Sequence, residues 1–361
     1  MKIFKCSACG QTLFFENVVC TKCGHTLAYL PDRRVVSALE LVEDEDAPQH
    51  YRALLEGDEE RLYRLCENST QYGVCNWAIE AGDEHALCRA CRLNSIIPNL
   101  SEPAAKDAWM RLEREKRHLL YSLDELGLLG TPDDEQDAES APRLSFSFMG
   151  DDPTQHIVTG HQAGHITINI AEADDAARER IRKELGEPYR TVLGHFRHES
   201  GHYYWERLIK DSDLHEPFRA MFGDETLDYA AASRNYYAQG APSDWWSSFV
   251  SAYASMHPWE DWAETWAHYL HMVDTLETAR SFGLVIRPQP VGGTPARPLA
   301  ARSVQFEAFD QLIKAWVGLT VALNTLNRSM GLPDVYPFVL SERAIEKLRF
   351  VHDTIERRVR A

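Results

Sequence analysis

The segment GHFRHESGHYYW, residues 194–205, contains the pattern HExxH at His198, Glu199 and His202. In an α-helix, residues four apart lie one above the other, so the imidazoles of His198 and His202 can point at one metal ion. Glu199 lies about 100° around the helix from His198, near enough to reach a water on the metal without binding the metal itself. The pattern therefore predicts half of a zinc site, with Glu199 as the general base.

A catalytic zinc ion needs a third protein ligand and keeps one position open for water. The segment SAYASMHPWEDWAETWAHYLH, residues 251–271, is typical of a helix that begins near Pro258. Glu260 and Glu264 lie four apart on one face of this helix, and one of them is expected to meet the metal. If Glu260 binds the metal, Glu264 can accept a hydrogen bond from a ligand imidazole. The spacing alone does not separate these two roles.

Cysteine pairs near the start of the chain form CxxC, ten residues, CxxC. They are Cys6, Cys9, Cys20 and Cys23, and a glycine follows each pair, Gly10 and Gly24. Glycine allows the tight turn that directs backbone amides at thiolates, and four thiolates complete the coordination of a zinc ion. We therefore expect a zinc ribbon over residues 1–34, with a closed structural site.

A second set of four thiols follows within residues 60–97. It consists of Cys66, Cys75, Cys88 and Cys91, with irregular spacing in its first half and CRAC in its second. Four thiols again complete a tetrahedron, so a second structural zinc is the preferred interpretation. Two alternatives are open: His85 could replace one thiolate, or the cysteines could be buried free thiols that pack as small hydrophobic residues.

The combination of these motifs resembles a known family. HExxH followed by a helix with tyrosine, six residues and ExxAE is similar to the gluzincin metallopeptidases, and Tyr253 and Glu260 have this spacing. With both cysteine sets, the whole chain resembles the bacterial zinc-binding metallopeptidases that carry an N-terminal zinc ribbon. The resemblance implies that Glu260 is the third zinc ligand, that Glu264 lies behind the ligands, and that Tyr253 donates its hydroxyl to the tetrahedral intermediate. It also implies a gluzincin-like domain, a small sheet with an edge strand beside the zinc-binding helices.

The remaining segments predict an α+β fold. Apolar residues at helical spacing indicate a long amphipathic helix over residues 101–128, and residues 156–170 contain two β-prone runs around a turn. The HExxH helix is expected to open at Pro188 or Tyr189 and to run to about Lys210. We divide the chain into a zinc ribbon at 1–34, a second four-cysteine module with the amphipathic helix at 35–130, an acidic linker at 131–142, and the HExxH metallopeptidase domain with a helical C-terminal part at 143–361.

Composition narrows the possible partners and compartments. The chain has 361 residues, 44% of them hydrophobic, and a formal net charge of -17, which argues against a nucleic-acid partner. The sequence contains no apolar run long enough for a membrane span and begins without the apolar stretch of a signal peptide. Eight cysteines clustered in the first quarter of the chain suit metal binding in a reducing compartment. We therefore expect a cytoplasmic protein that does not bind membranes.

The function predicted from these observations is hydrolysis of peptide bonds. One catalytic and two structural Zn²⁺ ions are expected, with a peptide or protein as substrate and the ribbon as a surface for a protein partner. Two alternatives belong to other classes: a non-enzymatic zinc scaffold that binds protein or nucleic acid through its ribbon, and a DNA-associated zinc protease. The first leaves the HExxH motif without a purpose, and the net charge opposes the second.

Overall fold

A computed structural model of the protein describes most of the chain. The described residues are 1–43, 49–57, 60–129, 143–151, 156–185, 191–287, 299–300 and 308–360. The acidic linker predicted at 131–142 lies outside them.

Packing divides the chain into two compact units, each assembled from several segments. Unit 1 comprises Met1–Tyr121, Ser145–Val158 and Thr167–Asp174, and unit 2 comprises Ser122–Leu144, Thr159–Ile166 and Asp175–Ala361. Both contain helices and strands, so the predicted α+β class is confirmed. The four-region division proposed from the sequence stays a prediction.

Unit 1 contains most of the β-structure. Its strands are β1 (Phe4–Lys5), β2 (Thr12–Leu13), β3 (Thr26–Leu30), β4 (Val35–Leu41), β5 (Tyr51–Ala53), β6 (Leu62–Leu65), β7 (Ala78–Glu80), β8 (Asn94–Ile96) and β9 (Ser145–Met149). Strands β1 and β2 form a hairpin, β3 to β7 form an antiparallel sheet in chain order, and β8 runs parallel to β9. Small and aromatic apolar side chains fill the core of the five-stranded sheet: Ala28, Leu30, Leu39, Ala53, Tyr63 and Ala78.

Two helices accompany these strands, the short α1 (Glu67–Thr70) and the long α2 (Pro103–Glu125). The amphipathic pattern predicted for α2 is confirmed, because its apolar stripe is fully buried: Trp109, Leu112, Leu119, Leu120 and Leu123. A charged pair is buried on the same helix, with Lys116 Nζ 3.0 Å from Glu113 Oε1. The Lys116 ammonium also lies 5.7 Å and 5.8 Å from the ring centres of Phe146 and Phe148 on β9. Burial of the ammonium is thus compensated by a carboxylate and two aromatic faces.

Unit 2 is mainly helical. Its elements are β10 (Gly160–Gln162), the start of β11 (His165–Asn169), α3 (Asp175–Leu185), α4 (Val192–Leu208), α5 (His215–Phe222), α6 (Tyr229–Gln239), α7 (Pro258–Ser281), β12 (Val285–Ile286), β13 (Leu299–Ala300), α8 (Phe309–Ser329) and α9 (Glu342–Arg360). Strand β10 is hydrogen-bonded to β11 and, within the described part of the chain, is the terminal strand of that sheet. Among the described residues, no helix has both the length and the apolar character needed to cross a membrane.

Helices α4 and α7 pack closely along the HExxH motif. A Cβ atom added at Gly201 would lie 2.9 Å from the Cα of Ala263, so only glycine permits this approach without a shift. Two indole groups of α7 reach the same turn of α4: Trp262 Nε1 donates to Gly201 O at 2.8 Å, and Trp266 Nε1 donates to Ser200 Oγ at 3.1 Å. These bonds fix the position of α4 along α7.

The ends of the two helices test the boundaries predicted from the sequence. The start of α4 was expected at Pro188 or Tyr189, which lie outside the described residues. In the described chain Thr191 is extended, its side chain accepts from the Gly194 N–H at 3.0 Å, and the helix begins at Val192. It ends at Leu208, two residues before the expected end. Helix α7 begins at Pro258, as predicted.

Candidate metal centre

The first cysteine set has the geometry of a zinc ribbon. All four Sγ atoms lie within 4.8 Å of one another: Cys6, Cys9, Cys20 and Cys23. The Cys6–Cys23 and Cys9–Cys20 Sγ distances are 3.7 Å and 3.6 Å, close to the edge of about 3.8 Å of a tetrahedron with Zn–S bonds of about 2.3 Å. Gly10 and Gly24 close the two knuckles with φ of 73° and 77°. The spacing of the sulfur atoms therefore suits zinc.

The second cysteine set is fully buried and also fits zinc. Its four Sγ atoms lie within the same 4.8 Å limit: Cys66, Cys75, Cys88 and Cys91. Cys75 and Cys88 Sγ are 3.6 Å apart, and backbone N–H groups of Trp77 and Cys88 donate to the sulfur atoms of Cys75 and Cys66 at 3.4 Å and 3.3 Å. The alternative ligand His85 points elsewhere, because its Nδ1 lies 2.6 Å from Asp83.

The HExxH helix and α7 form the third cluster. His198, His202 and Glu260 each offer one ligand atom within 4.8 Å of the others. His198 Nε2 lies 2.9 Å from Glu260 Oε2, and His202 Nε2 lies 3.5 Å from Glu260 Oε1. Two imidazole nitrogens and one carboxylate oxygen are a donor set that zinc binds, and such a set leaves a fourth position open. The structure thus brings together the three residues predicted as ligands.

Glu264 lies on the other nitrogen of the same histidine. Its Oε1 is 2.7 Å from His198 Nδ1, and its Oε2 accepts from Ser251 Oγ at 2.5 Å. An imidazole that binds a metal through one nitrogen commonly donates its other N–H to a carboxylate. Glu260 and Glu264 are therefore not equivalent. Glu260 contacts the Nε2 atoms of both His198 and His202, whereas Glu264 contacts Nδ1 on the opposite side of the His198 ring.

Burial and charge set the protonation of these groups. Burial lowers the pKa of His202 to about 3. Burial would raise the pKa of the Glu260 carboxyl, but its contact with His202 and its hydrogen bond to the charged His198 outweigh burial and bring that pKa to about 2. For His198, burial opposes the charged form, but hydrogen bonds to Glu260 and Glu264 raise its pKa well above the usual value. The carboxylates of Glu260 and Glu264 thus favour a positive charge beside His198, and a bound metal ion would supply such a charge.

The predicted general base lies beside this cluster. Glu199 is on α4 and is 9% exposed. Burial raises the pKa of its carboxyl to about 7.

The remaining predicted site residue, Tyr253, lies in a 3-10 turn before α7, with its ring centre 6.0 Å from that of His198. Burial raises the pKa of Tyr253 well above its usual value, so the phenol stays a hydrogen-bond donor.

Sequence reasoning missed three residues at the cluster. The Tyr229 hydroxyl donates to Glu260 Oε1 at 2.9 Å, from the first turn of α6. Trp259 packs on His202 with ring centres 4.0 Å apart. His161 of β10 stacks on the same His202 imidazole, with ring centres 6.1 Å apart. Trp259 could have been found from its place beside Glu260, whereas no regular spacing relates Tyr229 or His161 to the motif.

Two family models match most of the chain. Residues 105–354 match the family model described as "Putative zinc-binding metallo-peptidase", and residues 3–102 match a zinc-ribbon domain. No solved structure matches the chain.

Three mycobacterial relatives extend over nearly the whole chain. Uncharacterized proteins of Mycobacterium bovis and of two strains of Mycobacterium tuberculosis are each 40% identical over 357 residues, covering 99% of this chain and 96% of theirs. The metallo-peptidase model covers the HExxH helix and α7, and the zinc-ribbon model covers both cysteine sets. The chain therefore belongs to the zinc-binding metallo-peptidase family and carries the zinc ribbon at its N-terminus.

Proposed function

We propose that the protein is a zinc-dependent, gluzincin-like peptidase in which Glu199 acts as the general base. The observation that supports this most strongly is the convergence of His198 Nε2, His202 Nε2 and the Glu260 carboxylate within 4.8 Å, with Glu199 buried on the same helix. His198, His202 and Glu260 would hold the ion. The contact of Glu264 with the opposite nitrogen of His198 favours Glu260 as the ligand and Glu264 as the residue that orients the imidazole.

The chain's own groups have distinct tasks in this proposal. When bound, Zn²⁺ supplies Lewis-acid activation of a water molecule and of the scissile carbonyl. A carboxylate oxygen of Glu199 takes the proton of the attacking water and returns it to the nitrogen of the leaving amine. The Tyr253 hydroxyl donates a hydrogen bond to the oxygen that becomes negative as the water attacks.

The substrate in this proposal is a peptide or an unfolded protein segment. Strand β10 is the terminal strand of its sheet, and its residue His161 stacks on the ligand His202. An extended substrate backbone that pairs with an edge strand gains main-chain hydrogen bonds without dependence on its side chains. Strand β10 would thereby hold the scissile bond beside His198 and His202.

Both four-cysteine sites are assigned a structural role. Four thiolates complete the coordination of zinc and leave no position for water, so these ions would stabilise unit 1 and take no part in hydrolysis. The proposal therefore requires three Zn²⁺ ions per chain. We also assign the ribbon surface to a protein partner and the protein to the cytoplasm, where thiols stay reduced.

The test replaces the base and keeps its size. Glu199→Gln cannot accept a proton, so cleavage of fluorescently labelled casein should fall by at least about 100-fold while the zinc content stays unchanged. Glu206→Gln is the matched control, since Glu206 lies seven residues later on the same helix and takes no part in the cluster. Loss of zinc in Glu199→Gln, or unchanged cleavage, would contradict the assigned role.

A further inference from the structure

Helix α6 meets the metal cluster through one side chain. Asp228 caps the helix by accepting from the Ala231 N–H at 2.9 Å, which places Tyr229 at its first position. No residue of α6 is fully buried, and Tyr229 itself is 41% exposed. Its ring nevertheless packs 5.3 Å from that of His257 at the start of α7. The phenol is thus held over the first turn of α7, where Glu260 lies.

The Tyr229 hydroxyl distinguishes the two oxygens of Glu260. Oε1 accepts from this hydroxyl at 2.9 Å and lies 3.5 Å from His202 Nε2. Oε2 lies 2.9 Å from His198 Nε2, and among the described residues no tyrosine hydroxyl is hydrogen-bonded to it. A hydrogen bond to one carboxylate oxygen reduces the electron density that this oxygen can offer a cation. The other oxygen then binds a cation more strongly.

We infer that Tyr229 is a positioning residue that fixes the Glu260 carboxylate through Oε1 and leaves Oε2 to bind the metal. A carboxylate that binds through one oxygen takes one coordination position and leaves another open for water. The inference rests on the proposed function only in taking Glu260 as the ligand.

The experiment removes the hydroxyl and keeps the ring. Tyr229→Phe retains the packing against His257, and Tyr237→Phe is the control, because Tyr237 is on the same helix, 59% exposed, and packs on Tyr236. Zinc affinity is measured by competition with a chelator that empties the histidine site and spares the cysteine sites. Loss of a hydrogen bond to a ligand typically weakens metal binding by about 10 to 100-fold, which we expect for Tyr229→Phe and not for Tyr237→Phe.

Further readouts separate positioning from packing. Without metal in the histidine site, Tyr237→Phe should unfold at the same urea concentration as the parent chain, and Tyr229→Phe should unfold only slightly earlier, because it loses one hydrogen bond. A metal-free Tyr229→Phe chain that has lost the native circular dichroism before urea is added would assign the lost affinity to packing and overturn the inference. Unchanged zinc affinity in Tyr229→Phe would also overturn it. At saturating zinc, casein cleavage by Tyr229→Phe should show a lower kcat at similar KM. If the parent chain cleaves no casein but Tyr229→Phe still binds zinc more weakly, the peptidase proposal fails and the inference about Tyr229 stands.

Discussion

Gly201→Ala should damage the metal centre more than it damages the fold. The added Cβ would lie 2.9 Å from the Cα of Ala263 and 3.2 Å from Cβ and Cδ1 of Trp266. Carbon atoms pack at about 3.5 to 4.0 Å, so α4 and α7 must separate by roughly 0.6 Å or more at this point. Backbone lines one side of the contact, and a change of side-chain rotamer cannot relieve it.

The consequences for stability and for metal binding differ in size. Overpacking costs about 1 to 3 kcal/mol, and replacing a helical glycine with alanine returns roughly 1 kcal/mol, which leaves a loss of about 0 to 2 kcal/mol. Metal–ligand distances, however, tolerate only about 0.2 Å. His202 directly follows Gly201 on α4, and Glu260 is on α7, so a separation of roughly 0.6 Å moves ligands apart beyond that tolerance. We expect zinc affinity to fall at least about tenfold.

Urea unfolding and chelator competition measure the two effects separately. Gly160→Ala is the control, since Gly160 has ordinary φ and a Cβ there would meet nothing within 4 Å. This control should keep the zinc affinity and the unfolding free energy of the parent chain. The reasoning is refuted if Gly201→Ala binds zinc as tightly as Gly160→Ala does.

Three further predictions concern metal, ligand roles and pH. Elemental analysis of protein purified without added zinc should give three zinc ions per chain; a value of two with both cysteine sites full would show that the histidine site binds weakly. Glu264→Ala should keep zinc at high zinc concentration with reduced turnover, whereas Glu260→Ala should empty the site; the reverse pattern would exchange their roles. Burial lowers the pKa of His118, but hydrogen bonds to Glu115 and Glu16 outweigh it and raise that pKa. The charged form therefore stabilises the fold below about pH 6.5, and the stabilisation is lost as pH rises through the raised value, so His118→Gln should lower the unfolding free energy more at about pH 6 than at about pH 9.

Spacing along the chain was sufficient to predict which side chains converge wherever the proposed ligands lie on one helix or in one zinc knuckle. The CxxC pairs and the i, i+4 histidines bring their atoms together through local geometry, and the structure shows those groups converging. Spacing left the choice between Glu260 and Glu264 open, because both carboxylates share a helical face, and the proposal of Glu260 as ligand depends on the three-dimensional contact of Glu264 with His198 Nδ1. Periodicity carries no information about which nitrogen of an imidazole a carboxylate will meet.

Other features depended on contacts between distant segments. Tyr229 lies 31 residues before Glu260 and on another helix, so no pattern predicted its hydrogen bond. Gly201 occupies a variable position of HExxH, but a glycine inside a helix is costly and could have indicated close packing. Thr191 caps α4 with its side chain, and threonine is a helix-start signal that the prediction of this boundary did not use.

The interleaving of the two units in sequence has a consequence for synthesis on the ribosome. Both cysteine sets and β1 to β8 emerge before β9, although β9 pairs with β8 and covers Lys116 with Phe146 and Phe148. A nascent chain that has not reached Ser145 already contains both cysteine sets, while β8 is still an unpaired edge and the Lys116 ammonium is hydrated. Such an edge is a template for pairing with another chain. Cleavage or premature termination between residues 130 and 142 would leave unit 1 with both cysteine sets and with β8 unpaired.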